Sequence, residues 1–127
     1  MPIFDITIVL KSGEILSDVT ASRLADAAGS IFKEEAGRCW VKLLPLDKRH
    51  YAENGVAEAD MPYPVFVEVL QFHEETVERK ASLAIELAKS FGGVLDRNPE
   101  HVHIEFCPAA RNRIAFGGKL RTESDDC

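Results

Sequence analysis

The second residue of the chain is a proline, Pro2, and the apolar stretch Ile3-Phe4-Asp5-Ile6-Thr7-Ile8-Val9-Leu10 follows it at once. Removal of Met1 would turn the Pro2 nitrogen into a secondary amine, able to act as a base or a nucleophile. With Met1 in place the same nitrogen is an amide and does neither. A small penultimate residue generally permits that removal. His103 and Glu105 are two residues apart, so a strand projects both to one face, opposite Val102, Ile104 and Phe106. Such a pair could polarise a water or supply an acid and a second base. The plainer reading is a polar pair at a subunit interface. His101 shares their face, but two-residue spacing on a surface strand is a weak ligand signal, and no metal is expected. Arg111 and Arg113 carry planar forks suited to a carboxylate; their plainer reading is a solvated loop or an ion pair between subunits. Lys42 shares a strand face with Trp40, and an inward lysine is costly unless paired or used. Tyr51 adds a phenol donor on what reads as a surface loop.

An internal repeat organises the elements that must hold these residues. Met1-Pro2-Ile3-Phe4 matches Tyr63-Pro64-Val65-Phe66, 62 positions on. The run Leu24 to Phe32 matches Leu83 to Phe91, and Pro45 and Ala52 match Pro108 and Ala115, the last two 63 positions on. The offset drifts as loop insertions would make it. Each copy reads strand, helix, strand. Phe4, Ile6, Ile8 and Leu10 alternate as a half-buried strand requires. A helix is expected from about Val19 to Ala36, with Leu24, Ala27, Ala28 and Ile31 on one face and Gly37 as C-cap. Strands are expected over Cys39 to Leu46, Val65 to Phe72 and Val102 to Cys107. Thr76 is the expected N-cap of a second helix, ended near Phe91 by Gly92-Gly93. Ile114-Ala115-Phe116 reads as a short extra strand or hairpin. Two such units predict an α+β fold: two βαβ repeats in a four-stranded mixed sheet with two helices on one face. The other face, expected to be rich in Ile, Leu and Phe, would need covering in an oligomer.

The 127 residues fit a single domain over residues 1–122, with repeats of about 1–60 and 61–120 and a disordered tail at 123–127. Hydrophobic residues make up 46% and charged ones 28%, an ordinary globular balance. No apolar run is long enough to span a membrane. The net charge of −6 argues against a nucleic-acid partner. Three cysteines, an odd number, and no basic leader suggest a reducing cytoplasm, with Cys39 and Cys107 buried as apolar residues.

Pro2 opening a strand, the βαβ repeat and the uncovered sheet together resemble the tautomerase superfamily. Thr76 to Leu83 is similar to the opening of the 4-oxalocrotonate tautomerase helix, and Ile114 to Leu120 to its C-terminal hairpin with a Gly-Gly pair. The fused two-copy length resembles macrophage migration inhibitory factor. The resemblance covers the chain to about Leu120. It implies a homotrimer whose three sheets enclose a barrel, and a cofactor-independent keto–enol tautomerase acting on a small carboxylic acid. Pro2 would be the general base, with Phe4, Trp40 and Phe116 as apolar walls that disfavour its ammonium form. Pro64, an amide, could not be a second base. His103 and Glu105 would act beside Pro2 of the same or a neighbouring protomer. Arg111, Arg113 and Lys42 would hold the substrate carboxylate, and Tyr51 would donate to an enolate. The chain departs from the family pattern at its carboxylate-binding arginines. The one on the family's second strand falls on Trp40 and His103, and the one before the helix near Gly13-Glu14 and Glu75. A proline-dependent lyase, hydratase or dehalogenase, or a non-catalytic trimeric binding protein, are the alternative readings.

Overall fold

Alternation along the first strand sets which face of the sheet carries the core. The computed structural model describes residues 2–122; Met1 and the tail 123–127, expected to be disordered, lie outside the described residues. In β1 (Ile3–Val9), Phe4, Ile6 and Ile8 are fully buried, while Ile3, Asp5 and Thr7 turn to the opposite face. α1 (Thr20–Phe32) and β2 (Trp40–Leu46) follow. β3 (Val65–Leu70), α2 (Val77–Leu95) and β4 (Val102–Phe106) retrace the order, and a hairpin of β5 (Ala115–Phe116) and β6 (Lys119–Leu120) follows. The sheet order is β2-β1-β3-β4. Each βαβ crossover makes a parallel pair, β1 with β2 and β3 with β4, and the two units meet antiparallel at β1 and β3. The expected four-stranded mixed sheet is therefore the one that forms.

Both helices lie on one face. Leu24 and Ala28 of α1 and Leu83, Leu87 and Phe91 of α2 share one core with Phe4, Ile6, Ile8, Val65, Val67 and Val69. Phe4 is its hub, meeting Phe32 and Phe91 edge-on at 5.7 Å each, a favoured ring geometry. Burying such side chains contributes about 1.5–3 kcal/mol apiece.

The repeat is regular, with a constant spacing of 63 rather than a drifting one. Ile3 pairs with Trp40 as Phe66 pairs with His103. The helices end at left-handed residues 63 apart, Lys33 (φ 54°) and Asp96 (φ 56°). Gly29 and Gly92 offer their carbonyls to the N–H groups of Glu34 and Arg97. The proline match therefore misaligns the strands by one residue, which exchanges faces. Phe4 is 0% exposed, and Phe66, its sequence match, is 40% exposed. The helix match is displaced by one turn. Pro2 corresponds in space to Val65.

Several boundaries differ from expectation. α1 ends at Phe32, four residues early, and Gly37 instead takes φ 82° in the turn before β2. α2 runs through Gly92-Gly93 to Leu95. Gly92 is there for space: a Cβ would lie 2.7 Å from the Arg97 carbonyl oxygen. Thr76 does cap α2, its side chain accepting from Arg79 N–H. The hairpin turns at Gly117 and Gly118, both at positive φ as a two-residue type I′ turn demands. Cys39 and Cys107 are half-buried rather than buried.

The open face of the sheet is mixed, not uniformly apolar, because the Ile and Phe residues of β1 at even positions turn inward. One cross-strand row holds Leu44, Thr7, Phe66 and His103. The next holds Lys42, Asp5, Glu68 and Glu105, and the third brings Trp40, Ile3 and Leu70 together.

One buried ion pair locks the far end of the helix layer. Arg97, 8% exposed, donates to the carbonyls of Val9 (2.9 Å), Tyr63 (2.8 Å) and Leu95 (3.2 Å). Its fork also meets both carboxylate oxygens of Glu14, at 2.9 and 2.6 Å. Those hydrogen bonds hold the Glu14 carboxyl below its usual range, against an opposing push from burial.

Candidate active site

Pro2 is buried at the head of β1 and has the strand parity of Phe4, so its ring lies on the helix side of the sheet. Its carbonyl accepts from Trp40 N–H at 3.1 Å, which ties the start of β1 to the start of β2. Two clefts open beside it. The first has Pro2, Phe32 and Phe72 as apolar wall, with Gln71, His73 and Arg79 as polar lining; Glu34 and Glu75 also face it. The second lies at the open-face edge and is lined by Ile3, Gly37, Arg38, Trp40, Phe116 and Arg121. The Arg121 guanidinium joins the two, 5.2 Å from the Phe72 ring centre and 5.8 Å from that of Phe116. Phe116 meets Trp40 edge-on at 5.2 Å, and Trp40 Nε1–H is anchored on the Gly37 carbonyl at 2.9 Å.

Backbone bonds bring the hairpin to this place. Ala110 and Arg111 N–H donate to the Gln71 and Phe72 carbonyls, running the chain after β4 along the extension of β3. Asn112 N–H then reaches the Arg121 carbonyl and Arg121 N–H the Ile114 carbonyl, which closes the hairpin over Phe72.

Of the residues singled out in the sequence, Trp40 adjoins both Pro2, through its backbone N–H, and Phe116, through its ring. Arg111 and Arg113 stand on the bordering loop, but neither is among the side chains lining the two clefts. The Arg113 guanidinium folds back to donate to the Ala109 carbonyl at 2.8 Å. His103 shares a row with Thr7, which places it about 16 Å along the strand from Pro2 and about 10 Å across two strand spacings. Glu105 shares a row with Asp5 and also faces away from the Pro2 ring. Within one chain these two are therefore not brought to Pro2. Lys42, on the edge strand β2, is engaged by Asp5 at 3.0 Å on the open face. Phe4 is the core hub and lines neither cleft.

Tyr51 sits at the other end of the sheet, its ring 5.9 Å from Phe66, which in turn lies 5.5 Å from His103. Its hydroxyl donates to Glu53 at 2.5 Å. Burial first, then that hydrogen bond and the Glu53 charge, push its pKa up to about 12. A phenol so raised is a weaker acid, and the distance from Pro2 separates it from chemistry there within one chain.

Arg38, Arg121, Arg79 and His73 are cleft residues that sequence reasoning missed. Arg38 stood two residues before Trp40, and Arg121 just past the recognised hairpin; the spacing of Arg121 from Phe116 was the available signal. Among the described residues, no group of three or more His, Cys, Asp or Glu side chains is placed to hold a metal ion. No helix among them is long and apolar enough to cross a membrane.

No family model matches the sequence, and no curated protein does. Solved structures do match its fold. Pt0534 inactivated by 2-oxo-3-pentynoate is 17% identical with a TM-score of 0.75, over 96% of this chain and 97% of that one. The fused 4-OT symmetric trimer is 16% identical with a TM-score of 0.74, over 94% of each chain. Macrophage migration inhibitory factor from Oncomelania hupensis is 18% identical with a TM-score of 0.71, over 98% of this chain and 85% of that one. The structure thus has the tautomerase-superfamily fold over nearly its whole length, with Pro2 at the head of its first strand.

Proposed function

We propose that this chain is a cofactor-independent tautomerase that uses Pro2, freed by removal of Met1, as general base on a small 2-oxo or enol acid. The observation that carries the reading is Pro2 buried on a cleft walled by Phe32 and Phe72 and carrying Arg79, with the Trp40–Phe116 cleft beside it at Ile3. A proline amine in that setting loses hydration when protonated, and desolvation favours the neutral base. Neighbouring guanidinium groups act in the same direction, while Glu34 and Glu75 oppose them. The base would take a proton from carbon or an enol oxygen and return it to the other atom. Arginine would stabilise the developing enolate. The fold match to a protein inactivated by 2-oxo-3-pentynoate, a small 2-oxo compound, agrees with this substrate class.

A homotrimer belongs to the same reading, supported by the open sheet face and by the fold match to a fused 4-OT trimer. The lyase or hydratase alternative draws on His103 and Glu105. Since both are remote from Pro2 within a chain, that alternative requires a neighbouring protomer to supply them.

The test is ultraviolet-monitored ketonisation of phenylenolpyruvate by protein whose intact mass establishes Met1 removal. Pro2→Ala and a form retaining Met1 run beside it. A rate above buffer that collapses in both comparators supports the reading. Equal rates from all three folded proteins would overturn it.

A further inference from the structure

We infer that Arg121 is the carboxylate anchor of the Trp40–Phe116 cleft, next to the Pro2 cleft, and that this cleft selects acids with a flat apolar body. The inference rests on the tautomerase reading for its reaction but not for its binding chemistry. The sequence carries no arginine where the resemblance would put one, at Trp40, His103 or the segment before either helix. The structure supplies one from a different element. Arg121 follows β6, and its guanidinium lies against the Phe72 and Phe116 rings at the junction of the two clefts. Aromatic faces attract the cation and restrict its plane, so less freedom is lost when the fork takes a planar carboxylate. Backbone bonds on both sides of the residue fix where the stem starts.

The rest of the cleft defines the acid. Arg38, exposed on the same cleft, adds a second cation at the rim. Trp40 and Phe116 give it an aromatic wall and Ile3 an apolar floor. A carboxylate on Arg121 would direct its attached carbons along that wall toward Ile3, the residue after Pro2 in β1. An extended, conjugated monoacid fits this arrangement better than a compact polar one, because a polar tail would lose water against Trp40 without a partner. The clefts carry Arg38, Arg79 and Arg121, and Arg111 and Arg113 lie outside both.

Trp40 is the chain's single tryptophan, so its fluorescence reports occupancy of this cleft without any turnover. Cinnamate, a flat acid with no enolisable keto group, is the probe. The expected result is saturable quenching in the wild type that weakens about tenfold or more in Arg121→Gln, the loss of a charge-assisted bidentate contact. Arg121→Lys, which keeps the charge without the fork, should fall between. Arg111→Gln and Arg113→Gln should bind as the wild type does. Near-ultraviolet dichroism and the melting temperature establish that each variant is folded. Arg121→Gln binding with unchanged affinity, or no quenching in the wild type up to about 10 mM, would overturn the inference. Arg121-dependent quenching in a protein that fails to ketonise phenylenolpyruvate would keep the anchor and remove the tautomerase reading.

Discussion

The two halves of this molecule follow nearly the same path 63 residues apart, yet the ends they build are chemically opposite. At the first end stand Pro2, Trp40, Phe116 and Arg121. Shifted by 63 positions these become Val65, His103, Glu53 and Glu58. Where Phe116 packs on Trp40, Glu53 instead accepts from the Tyr51 hydroxyl; where Arg121 lies on two rings, Glu58 pairs with Lys48 at 3.3 Å. The buried Arg97 corresponds to Glu34, on the Pro2 cleft. A repeated backbone thus supplies two places of equal geometry, and the side chains make one a candidate site and the other a scaffold. The proline that the proposed reaction would use lies in the first.

The largest effect should come from exchanging the two prolines' fates. Pro2→Ala should lower kcat/KM on an enol acid by about 10²–10⁴-fold, the usual contribution of a positioned base. Pro64→Ala should leave kcat/KM nearly unchanged, since Pro64 is a buried amide at the other end. A comparable loss in both would break the distinction between the ends.

Next comes the one-residue register. Phe4→Ala empties the hub of the core and should cost about 3–5 kcal/mol. Phe66→Ala, on the open face, should cost well under half as much in urea unfolding at matched protein concentration. Similar costs would restore the proline-based alignment.

The Glu14–Arg97 pair sharpens the contrast further, since the position matching Arg97 in the other half is Glu34. Glu14→Gln leaves a buried guanidinium with one fewer charged partner and should cost about 2–4 kcal/mol at neutral pH. The Glu14 pKa is depressed in the fold, from an ordinary value of 4.5, mainly by its hydrogen bonds to Arg97. Its contribution is therefore fully present above 4.5 and disappears as the pH falls through the folded value. Unfolding curves of the two proteins should converge in acid, and a pH-independent gap would sink the ion-pair account.

The smallest effect concerns the helix starts. Thr76 caps α2, whereas Val19 holds the equivalent place in α1 and makes no side-chain cap bond. Thr76→Ala should lower stability by about 1 kcal/mol, and Val19→Ser should raise it by a few tenths to about 1. Thermal melts of the two variants should move in opposite directions.

Much of the fold was legible because its signals are local. Period-two alternation marked β1, the apolar stripe marked α1, and Thr76 marked the start of α2. The Gly-Gly turn marked the hairpin. The repeat was legible too, but its register was not. Identical prolines and leucine runs made the attractive match, whereas spacing is set by which residues face the core. Gly92-Gly93 read as a terminator, but the close approach of Arg97 that requires Gly92 belongs to the turn after the helix. Of the candidate site residues, Trp40 adjoins both Pro2 and Phe116, while His103, Glu105, Lys42 and Tyr51 lie elsewhere.

By itself the sequence determined the elements and pointed to the residue proposed as the base. An apolar alternation folds as a strand wherever it sits, and the chemistry proposed for Pro2 depends on its covalent position alone. Only tertiary structure decided which side chains stand around that proline. Arg121, which lies on the Phe72 ring of its cleft, is more than a hundred residues from it in the chain, and Glu14 is 83 residues from Arg97. No local preference encodes such distances. They follow from strand order, register and the path of the closing hairpin, which are set by the packing of the whole chain at once.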